Sequence, residues 1–190
     1  YWVYHAPTMR AAVFEYRRGR SREGPQAFLE KFEGDLQCDG YEAYTIFESK
    51  EGVSVHNCWA HARRYFEKAL DEDQQRAAHI MELIQNLYDV ERPARQSHFT
   101  PEQRLEVRQK EALPVLQQIK QYLEQNKASA LPKSLLGTAI NYTLARWNKL
   151  CSYTSNGKLE IDNNLVENAI RPVALAVSYT HLTLPTSDLV

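Results

Sequence analysis

The chain has 190 residues, of which 43% are apolar and 25% are charged, and this composition excludes an intrinsically disordered protein. The length suits one ordinary domain, or one domain that carries a large insertion. The formal net charge is −1, so no overall basic field indicates a nucleic-acid partner, and such a partner would have to bind local patches. The three widely spaced cysteines disfavour a disulfide scaffold and favour a reducing compartment, and no apolar run approaches the roughly 20 residues of a membrane helix.

The first third of the chain alternates strand and helix patterns. The predicted elements in chain order are strands at 1–5 and 11–16, a short helix at 26–32, a strand at 36–40, a helix at 41–47 and a strand at 53–58. The first two strands are close enough in sequence to pair as an antiparallel hairpin. The order predicts an α/β layer. Because the chain opens inside a strand pattern, without an initiator methionine or a signal-peptide pattern, we expect it to be a fragment.

From His61 onward the apolar positions recur at helical spacing, and Glu91 falls on the apolar stripe of the first long helix. Several residues predict where these helices begin and end. Pro93 predicts a stop, Thr100 with Gln103 a capping box, Pro114 a kink or break, and Ser134 an N-cap. Asp162 predicts the N-cap of a last helix over 163–170, which Pro172 closes. About ninety residues of helix therefore separate the α/β layer from the last helix.

Asp39 stands at the predicted carboxyl end of a buried strand, where ligand-binding groups collect in α/β sheets. A carboxylate beside Gly40, which lets the backbone turn closely, suits a hard cation such as Mg²⁺. The same dipeptide also occurs as an ordinary turn that ends a strand, so the residues alone leave both interpretations open.

A second polar group lies on one strip of the last predicted helix. Asn163 and Asn164 precede Glu167 by one turn, and Arg171 follows it by four residues, so the four side chains share a face. Carboxylate, amides and guanidinium on one strip could form a polar site. They could equally form a solvated face with an ordinary Glu–Arg pair.

Cys58 and His61 have the spacing of half a zinc site, but the other cysteines supply no matching half. The alternative is a core cysteine and a histidine hydrogen-bonded at the junction of strand and helix. Arg63 and Arg64 could contact phosphate or be solvated. The segment from Arg10 to Arg22 holds five arginines against one glutamate and is a further candidate for salt-dependent phosphate contacts.

Taken together in chain order, these motifs resemble those of the insertion sequence 66 family of bacterial transposases. The matching stretches are Tyr1-Trp2-Val3-Tyr4, Phe28-Leu29 to Gly34, Leu36-Gln37-Cys38-Asp39-Gly40-Tyr41, Cys58-Trp59-Ala60-His61-Ala62-Arg63-Arg64-Tyr65-Phe66, Leu87-Tyr88 with Glu91, and Gly157 to Asn164 with Glu167 and Ile170 to Leu175. The resemblance covers residues 1 to about 175. Its most specific parts are the Cys-Trp-Ala-His-Ala-Arg-Arg and Asp-Asn-Asn-x-x-Glu motifs.

The resemblance implies a ribonuclease-H-like α/β core with a large all-α insertion between the second catalytic Asp and the catalytic Glu. Residues 1–60 would form the first part of the core, without its first strand, and residues 61–153 the helical insertion. Residues 154–175 would carry the last core helix, and residues 176–190 an atypical tail that could be an artefact. Asp39 matches the second Asp of the family's three acidic residues, and Glu167 matches the Glu.

The resemblance also implies the chemistry. Three carboxylates would hold two Mg²⁺ (or Mn²⁺) ions for phosphoryl transfer in DNA strand cleavage and strand transfer. Cys58, His61, Asn163 and Asn164 would support the metal site. Arg63, Arg64, Arg171 and the basic segment would contact DNA phosphates. The partners would be the transposon ends and target DNA, with a homo-oligomer in the active complex, no membrane, and a location in the bacterial cytoplasm at the nucleoid.

The chain departs from the family in two places. The family's first Asp lies upstream of the Trp-Val-Tyr strand, and no acidic residue stands on residues 1–5, so we expect this chain alone to be catalytically inactive or nearly so. Residues 176–190 contain no Lys or Arg, whereas family members continue with a basic, aromatic stretch. A non-catalytic DNA-binding or scaffold remnant is therefore the main alternative, and a small zinc module built on Cys58 and His61 is the third.

Overall fold

A computed structural model of the chain describes residues 2–9 and 11–178, with the side chains of residue 8 and residues 172–178 excepted. The chain divides into two compact units. The smaller unit consists of the described parts of Tyr1–Arg20 and Asn164–Val190, and the larger unit is Ser21–Asn163. Most of the tail that the sequence sets apart, 176–190, lies outside the described residues, and so does Arg10 of the basic segment.

The smaller unit contains the predicted hairpin. Strand β1 (Trp2–Ala6) pairs antiparallel with β2 (Ala11–Glu15), in a register that sets Trp2 opposite Glu15. Helix α8 (Asn164–Ser178) packs against β1, and Trp2 is buried. In the basic segment, Arg17 forms an ion pair of 2.6 Å with Glu15, so part of the positive charge there is compensated.

The strands of the larger unit form a parallel pair. Strand β3 (Gly34–Cys38) lies beside β4 (Val53–Asn57), in a register that sets Cys38 opposite Asn57. A 3₁₀ helix (Glu42–Ser49) connects them where the sequence predicts an α-helix. The fold is therefore mixed α/β, as predicted. The ribonuclease-H-like arrangement of the two strand pairs stays a prediction.

The first helix begins and ends earlier in the chain than the sequence pattern predicts. Helix α1 spans Glu23–Phe28 instead of 26–32. The Lys50 ammonium group donates to the backbone carbonyls of Leu29, Glu30 and Phe32 at 2.6–3.0 Å. A cation near the carboxyl end of a helix can bind carbonyl groups that have no partner within the helix. Here Lys50 binds the carbonyls that directly follow α1.

The remaining helices of the larger unit enclose one hydrophobic core. They are α2 (Trp59–Ala69), α3 (Gln74–Gln96), α4 (Pro101–Val107), α5 (Leu113–Lys127), α6 (Leu135–Ala145) and α7 (Trp147–Cys151). Trp59, Phe66, Ile84 and Ile119 are almost completely buried in this core. The capping box of Thr100 with Gln103 and the N-cap of Ser134 are confirmed.

The expectation that Pro93 ends α3 is wrong, because the helix continues to Gln96. The proline removes the donor for the carbonyl of Asp89, and since Asp89 is exposed, water can satisfy that carbonyl. Buried Ala94 keeps the last turn on the core. Pro114 has a larger effect, since a π-helical turn (Arg108–Ala112) precedes it and separates α4 from α5.

Arg108, in this π-turn, is the most enclosed cation of the larger unit. It is 1% exposed and forms a bidentate pair of 2.6 and 2.7 Å with the carboxylate of Glu91, which is 2% exposed. Its other N–H groups donate to the backbone carbonyls of Tyr153, Asn156 and Leu159 at 2.8–3.1 Å. All five guanidinium donors therefore have acceptors, and the pair holds the segment that leads to the last helix.

Two further arginines extend this charge network. Arg104 donates to Glu91 at 3.2 Å and to Glu160 at 2.7 Å, and Arg95 donates to Glu160 at 3.1 Å. Burial by itself raises the pKa of Glu160, but its hydrogen bond to Arg104 and the charges of both arginines hold that pKa below its usual value. Helices α3 and α4 thus bind Glu160 through Arg95 and Arg104, while Arg108 of the π-turn binds the backbone of residues 153–159.

Among the described residues, no helix has both the length and the apolar character of a membrane span.

We expect Arg108→Met to lower the free energy of unfolding by about 3–5 kcal/mol, because it leaves the Glu91 carboxylate buried without its main partner. The double variant Arg108→Met/Glu91→Leu should be less unstable than Arg108→Met. Urea denaturation followed by circular dichroism measures both, with Lys120→Met on the exposed side of α5 as the control. A double variant that is less stable than the single one would contradict this account.

Candidate functional site

Asp39 directly follows β3, at the carboxyl end of the parallel pair, and its side chain is exposed. One carboxylate oxygen, Oδ1, accepts a hydrogen bond of 2.9 Å from the backbone N–H of Tyr41. This bond orients the carboxylate at the strand end. The position is the one that the sequence predicts for a ligand-binding acid, and hard oxygen donors of this kind suit Mg²⁺.

The turn at Asp39 and Gly40 is fixed to helix α6 and the residue that follows it. The Tyr142 hydroxyl donates to the backbone carbonyl of Asp39 at 3.0 Å, and Arg146 donates to the carbonyl of Gly40 at 3.3 Å. Gly40 has φ +83°, and a Cβ atom there would lie 2.7 Å from the Tyr142 hydroxyl. Glycine is thus required both by the backbone conformation and by the close approach.

An aromatic and cationic stack supports these two side chains. The ring of Tyr142 stacks on that of Tyr65 with centroids 4.2 Å apart, and the Arg146 guanidinium lies 4.1 Å from the centre of the Tyr142 ring. Burial raises the pKa of Tyr142 to about 12, so its hydroxyl keeps the proton that it donates to Asp39. The helical block therefore helps to position the backbone of the candidate acid.

The two most specific sequence motifs contact each other in the larger unit. The backbone N–H of Asn163 donates to Sγ of Cys58 at 3.2 Å, and the backbone N–H of Trp59 donates to the carbonyl of Ile161 at 3.1 Å. Gln37, on β3, donates to the carbonyl of Glu160 at 2.7 Å. Residues 160–163 are therefore tied both to the strand of Asp39 and to the start of α2.

Asp162 has a different role from the predicted N-cap. Helix α8 begins at Asn164, and Asp162 is 2% exposed, with Oδ1 3.9 Å from Arg95. Burial, the charge of Asp162 and a hydrogen bond with it raise the pKa of Tyr88. Asp162 thus anchors the chain in the larger unit, on the side of α3. The residue directly before α8 is Asn163.

Glu167, Asn164 and Arg171 lie on α8, in the smaller unit. Glu167 is half-buried and stands in the first turn, where a negative charge is favoured by the helix dipole, whereas the sequence pattern predicts a position more than a turn inside. Arg171 is exposed. The helix continues through Pro172, which was expected to close it. Because Asp39 belongs to the other unit, the pairing of Asp39 with Glu167 stays a prediction.

His61, Arg63 and Arg64 lie in the first half of α2. Nη1 of Arg64 is 3.2 Å from Nε2 of His61, and Arg63 lies 3.8 Å from Glu67. Arg64 is exposed and Arg63 is partly exposed. The two guanidinium groups are thus at least partly accessible to a phosphate, and Arg63 also contacts Glu67 weakly.

Cys58 is buried, and burial raises the pKa of its thiol to about 11, although zinc binds the thiolate. Its sulfur already accepts the Asn163 N–H. These contacts agree with the alternative of a core cysteine. Within the described part of the chain, no three His, Cys, Asp or Glu side chains gather as a potential metal site.

Sequence reasoning missed four arginine and tyrosine side chains that organise this region: Arg104, Arg108, Tyr142 and Arg146. A signal was present for Arg108, because it falls on the apolar stripe between Leu105 and Ala112, as Glu91 does on α3. A charged residue of each sign on facing apolar stripes indicates a buried pair. Tyr142 and Arg146 have no such signal, since their partners are backbone carbonyls more than a hundred residues away.

The sequence matches the model of the Transposase IS66 family over residues 1–180. Two relatives from Sinorhizobium fredii (strain NBRC 101917 / NGR234) are similar: "Uncharacterized protein y4jD" is 33% identical over 89% of this chain and 34% of its own length, and "Uncharacterized protein y4qI" is 31% identical over 88% and 32%. The chain spans about a third of the length of these relatives. No solved structure matches.

We expect Gly40→Ala to destabilise the larger unit by more than the roughly 1–2 kcal/mol that a left-handed backbone costs a residue with a Cβ atom, because the methyl group also displaces Tyr142 or Arg146. Gly52→Ala is the control, since Gly52 has a similar φ (+78°) and a Cβ atom there would meet only the flexible side chain of Glu33, at 3.2 Å. Urea denaturation compares the two variants. Equal losses would show that the turn beside Asp39 is not held rigidly.

Proposed function

Since the chain belongs to the Transposase IS66 family, we propose that it forms part of the catalytic region of a DNA transposase, with Asp39 and Glu167 as ligands of divalent metal ions. The observation that carries this proposal is the exposed carboxylate of Asp39 at the carboxyl end of a parallel strand pair. We propose DNA strand cleavage and strand transfer as the reaction of the whole protein. The third acid is the one that the resemblance assigns to a strand before the Trp-Val-Tyr strand.

The donor chemistry of Asp39 fits Mg²⁺ or Mn²⁺. Both ions prefer hard oxygen ligands, and the Asp39 carboxylate is exposed and oriented by the Tyr41 N–H. Bound ions of this kind supply activation of an attacking hydroxyl and stabilisation of the charge on a transferred phosphate. The protein's own contribution is a strand end that Tyr142 and Arg146 hold in place, so little reorganisation is needed when the ligand arrives.

The segment before α8 supports the assignment of Glu167. Residues 153–160 are bound by Arg104 and Arg108, and residues 161–163 by Trp59 and Cys58. Glu167 follows this anchored segment by four residues, in the first turn of its helix. The assignment of Glu167 itself comes from its place in the Asp-Asn-Asn-x-x-Glu motif.

The proposed DNA contacts are Arg63 and Arg64 on α2 and Arg171 on α8. They are exposed or partly exposed, and the net charge of −1 means that affinity for DNA would come from such local groups instead of an overall field. A non-catalytic remnant of a transposase would keep these contacts without binding metal. The two experiments below distinguish the two functions.

We expect Asp39→Asn to weaken Mn²⁺ binding at least about tenfold, since the loss of even an indirect partner of a metal site typically costs about 10–100-fold in affinity. Isothermal titration of the purified chain with Mn²⁺ measures the effect. Asp71→Asn, at an exposed position, is the matched control and should bind as the wild-type chain does. Equal binding by Asp39→Asn and the wild-type chain would refute the metal-ligand role and favour the remnant.

We expect Arg63→Gln/Arg64→Gln to weaken binding to duplex DNA of mixed sequence and to reduce the slope of log K against log salt concentration by about two, roughly one for each lost phosphate contact. Fluorescence anisotropy over a range of salt concentrations measures the slope. The charge-matched control is Arg92→Gln/Lys120→Gln, which removes two cations that pair with Asp89 and Glu124 on α3 and α5. A similar change in slope for both pairs would rule out a local DNA contact on α2.

A further inference from the structure

A cavity of about 190 Å³ lies in the larger unit, beside Asp39. Its lining includes Cys38 and Gly40, the two neighbours of Asp39 in the chain, and Asn57, which stands opposite Cys38 at the end of β4. The cavity thus occupies the carboxyl end of the parallel strand pair. In α/β proteins this end is where ligands bind, and none of the roles proposed above uses the cavity.

The walls of the cavity suit a flat heteroaromatic ring. Tyr41 and Tyr44, from the connection between the strands, contribute aromatic rings, and Val55 adds apolar surface. The amide of Asn57 donates to Sγ of Cys38 at 3.5 Å, and this contact holds its orientation. Aromatic surface with a few fixed polar groups is the usual composition of a site that binds a nucleobase.

Three charged side chains line the same cavity, and their net charge is positive. They are Arg146, Lys149 and Glu48. Arg146 donates to the Gly40 carbonyl and lies over the Tyr142 ring, while Lys149 forms an ion pair with Glu48. A base in the cavity carries its sugar and phosphate with it, and Arg146, whose charge Glu48 does not compensate, would attract that phosphate.

The size of the cavity limits the ligand. Its volume is smaller than the roughly 300–1,000 Å³ of a typical small-molecule site, and the cavity is partly open to solvent. This size suits a single base whose sugar and phosphate extend through the opening. A base can enter such a cavity only when it has left the stack of a duplex.

We propose that the cavity binds one unstacked nucleobase of the DNA strand whose phosphodiester lies at Asp39. The inference rests on the proposed function, since it needs DNA at the carboxylate, and it adds a contact to the base next to the reacting phosphate. The ring stacks on tyrosine, its edge faces the Asn57 amide, and Arg146 and Lys149 face its phosphate. The recognised feature is an unpaired base, as found at a distorted or frayed DNA end.

The test compares two duplexes that differ only at one central position, which carries an unpaired thymine in one and an abasic sugar in the other. Fluorescence anisotropy with the wild-type chain should show about tenfold tighter binding of the duplex with the unpaired thymine, as expected for one base stacked on aromatic side chains. Ala145→Phe fills the cavity from the exposed last residue of α6. It should abolish the preference and leave the affinity for the abasic duplex unchanged.

Ala128→Phe, which adds the same side chain at an exposed position after α5, is the control and should keep the preference. If Ala145→Phe fails to fold by circular dichroism, Thr45→Trp fills the cavity from another exposed position. The base pocket would be overturned if the wild-type chain shows no preference, or if the preference survives in a folded cavity-filling variant. In either case, salt-dependent binding of both duplexes would still support the proposed function. No salt-dependent binding of either duplex would overturn both.

Discussion

The buried ion pair of Arg108 and Glu91 is the constraint on which the larger unit depends. Burying two charges is costly, and the cost is offset only where every donor has an acceptor. Arg108 meets this condition by using the backbone carbonyls of residues 153, 156 and 159. The pair therefore links the helical block to a segment with little regular structure of its own, and the π-turn before Pro114 sets the direction of the Arg108 side chain.

Several weaker contacts continue from this pair towards the candidate site. Arg104 and Arg95 bind Glu160, Gln37 binds the carbonyl of the same residue, and the backbone at Trp59 and Cys58 binds residues 161 and 163. Strand β3 and residues 160–163 are thereby linked within the larger unit. The helical block thus contacts both the strand end at Asp39 and the segment up to Asn163.

The turn at Asp39 shows how the same block contributes to chemistry. Tyr142 and Arg146 bind backbone carbonyls and leave the carboxylate exposed. Arg146 also lines the adjacent cavity, together with Ala145 and Lys149. Family membership supports a transposase-related role, and the contacts around Asp39 come from α6 and from Arg146, which follows it. The chain covers about a third of the length of its curated relatives.

Local patterns in the sequence determined the hairpin, the two strands of the larger unit, the capped starts of α4 and α6, and the family, because period-two and helical spacings and cap residues act over a few positions. The parallel pairing of β3 with β4 came from the tertiary structure. Tertiary structure decided what depended on distant partners. Asp162 looks like an N-cap locally but is buried near Arg95 and Tyr88, and Pro93 is tolerated because its helix turn is exposed on one side. The clamp of Arg108 on distant backbone carbonyls and the cavity beside Asp39 likewise exist only once β3, α6 and the 153–163 segment pack together, since no local spacing encodes a contact with a carbonyl group fifty to a hundred residues away.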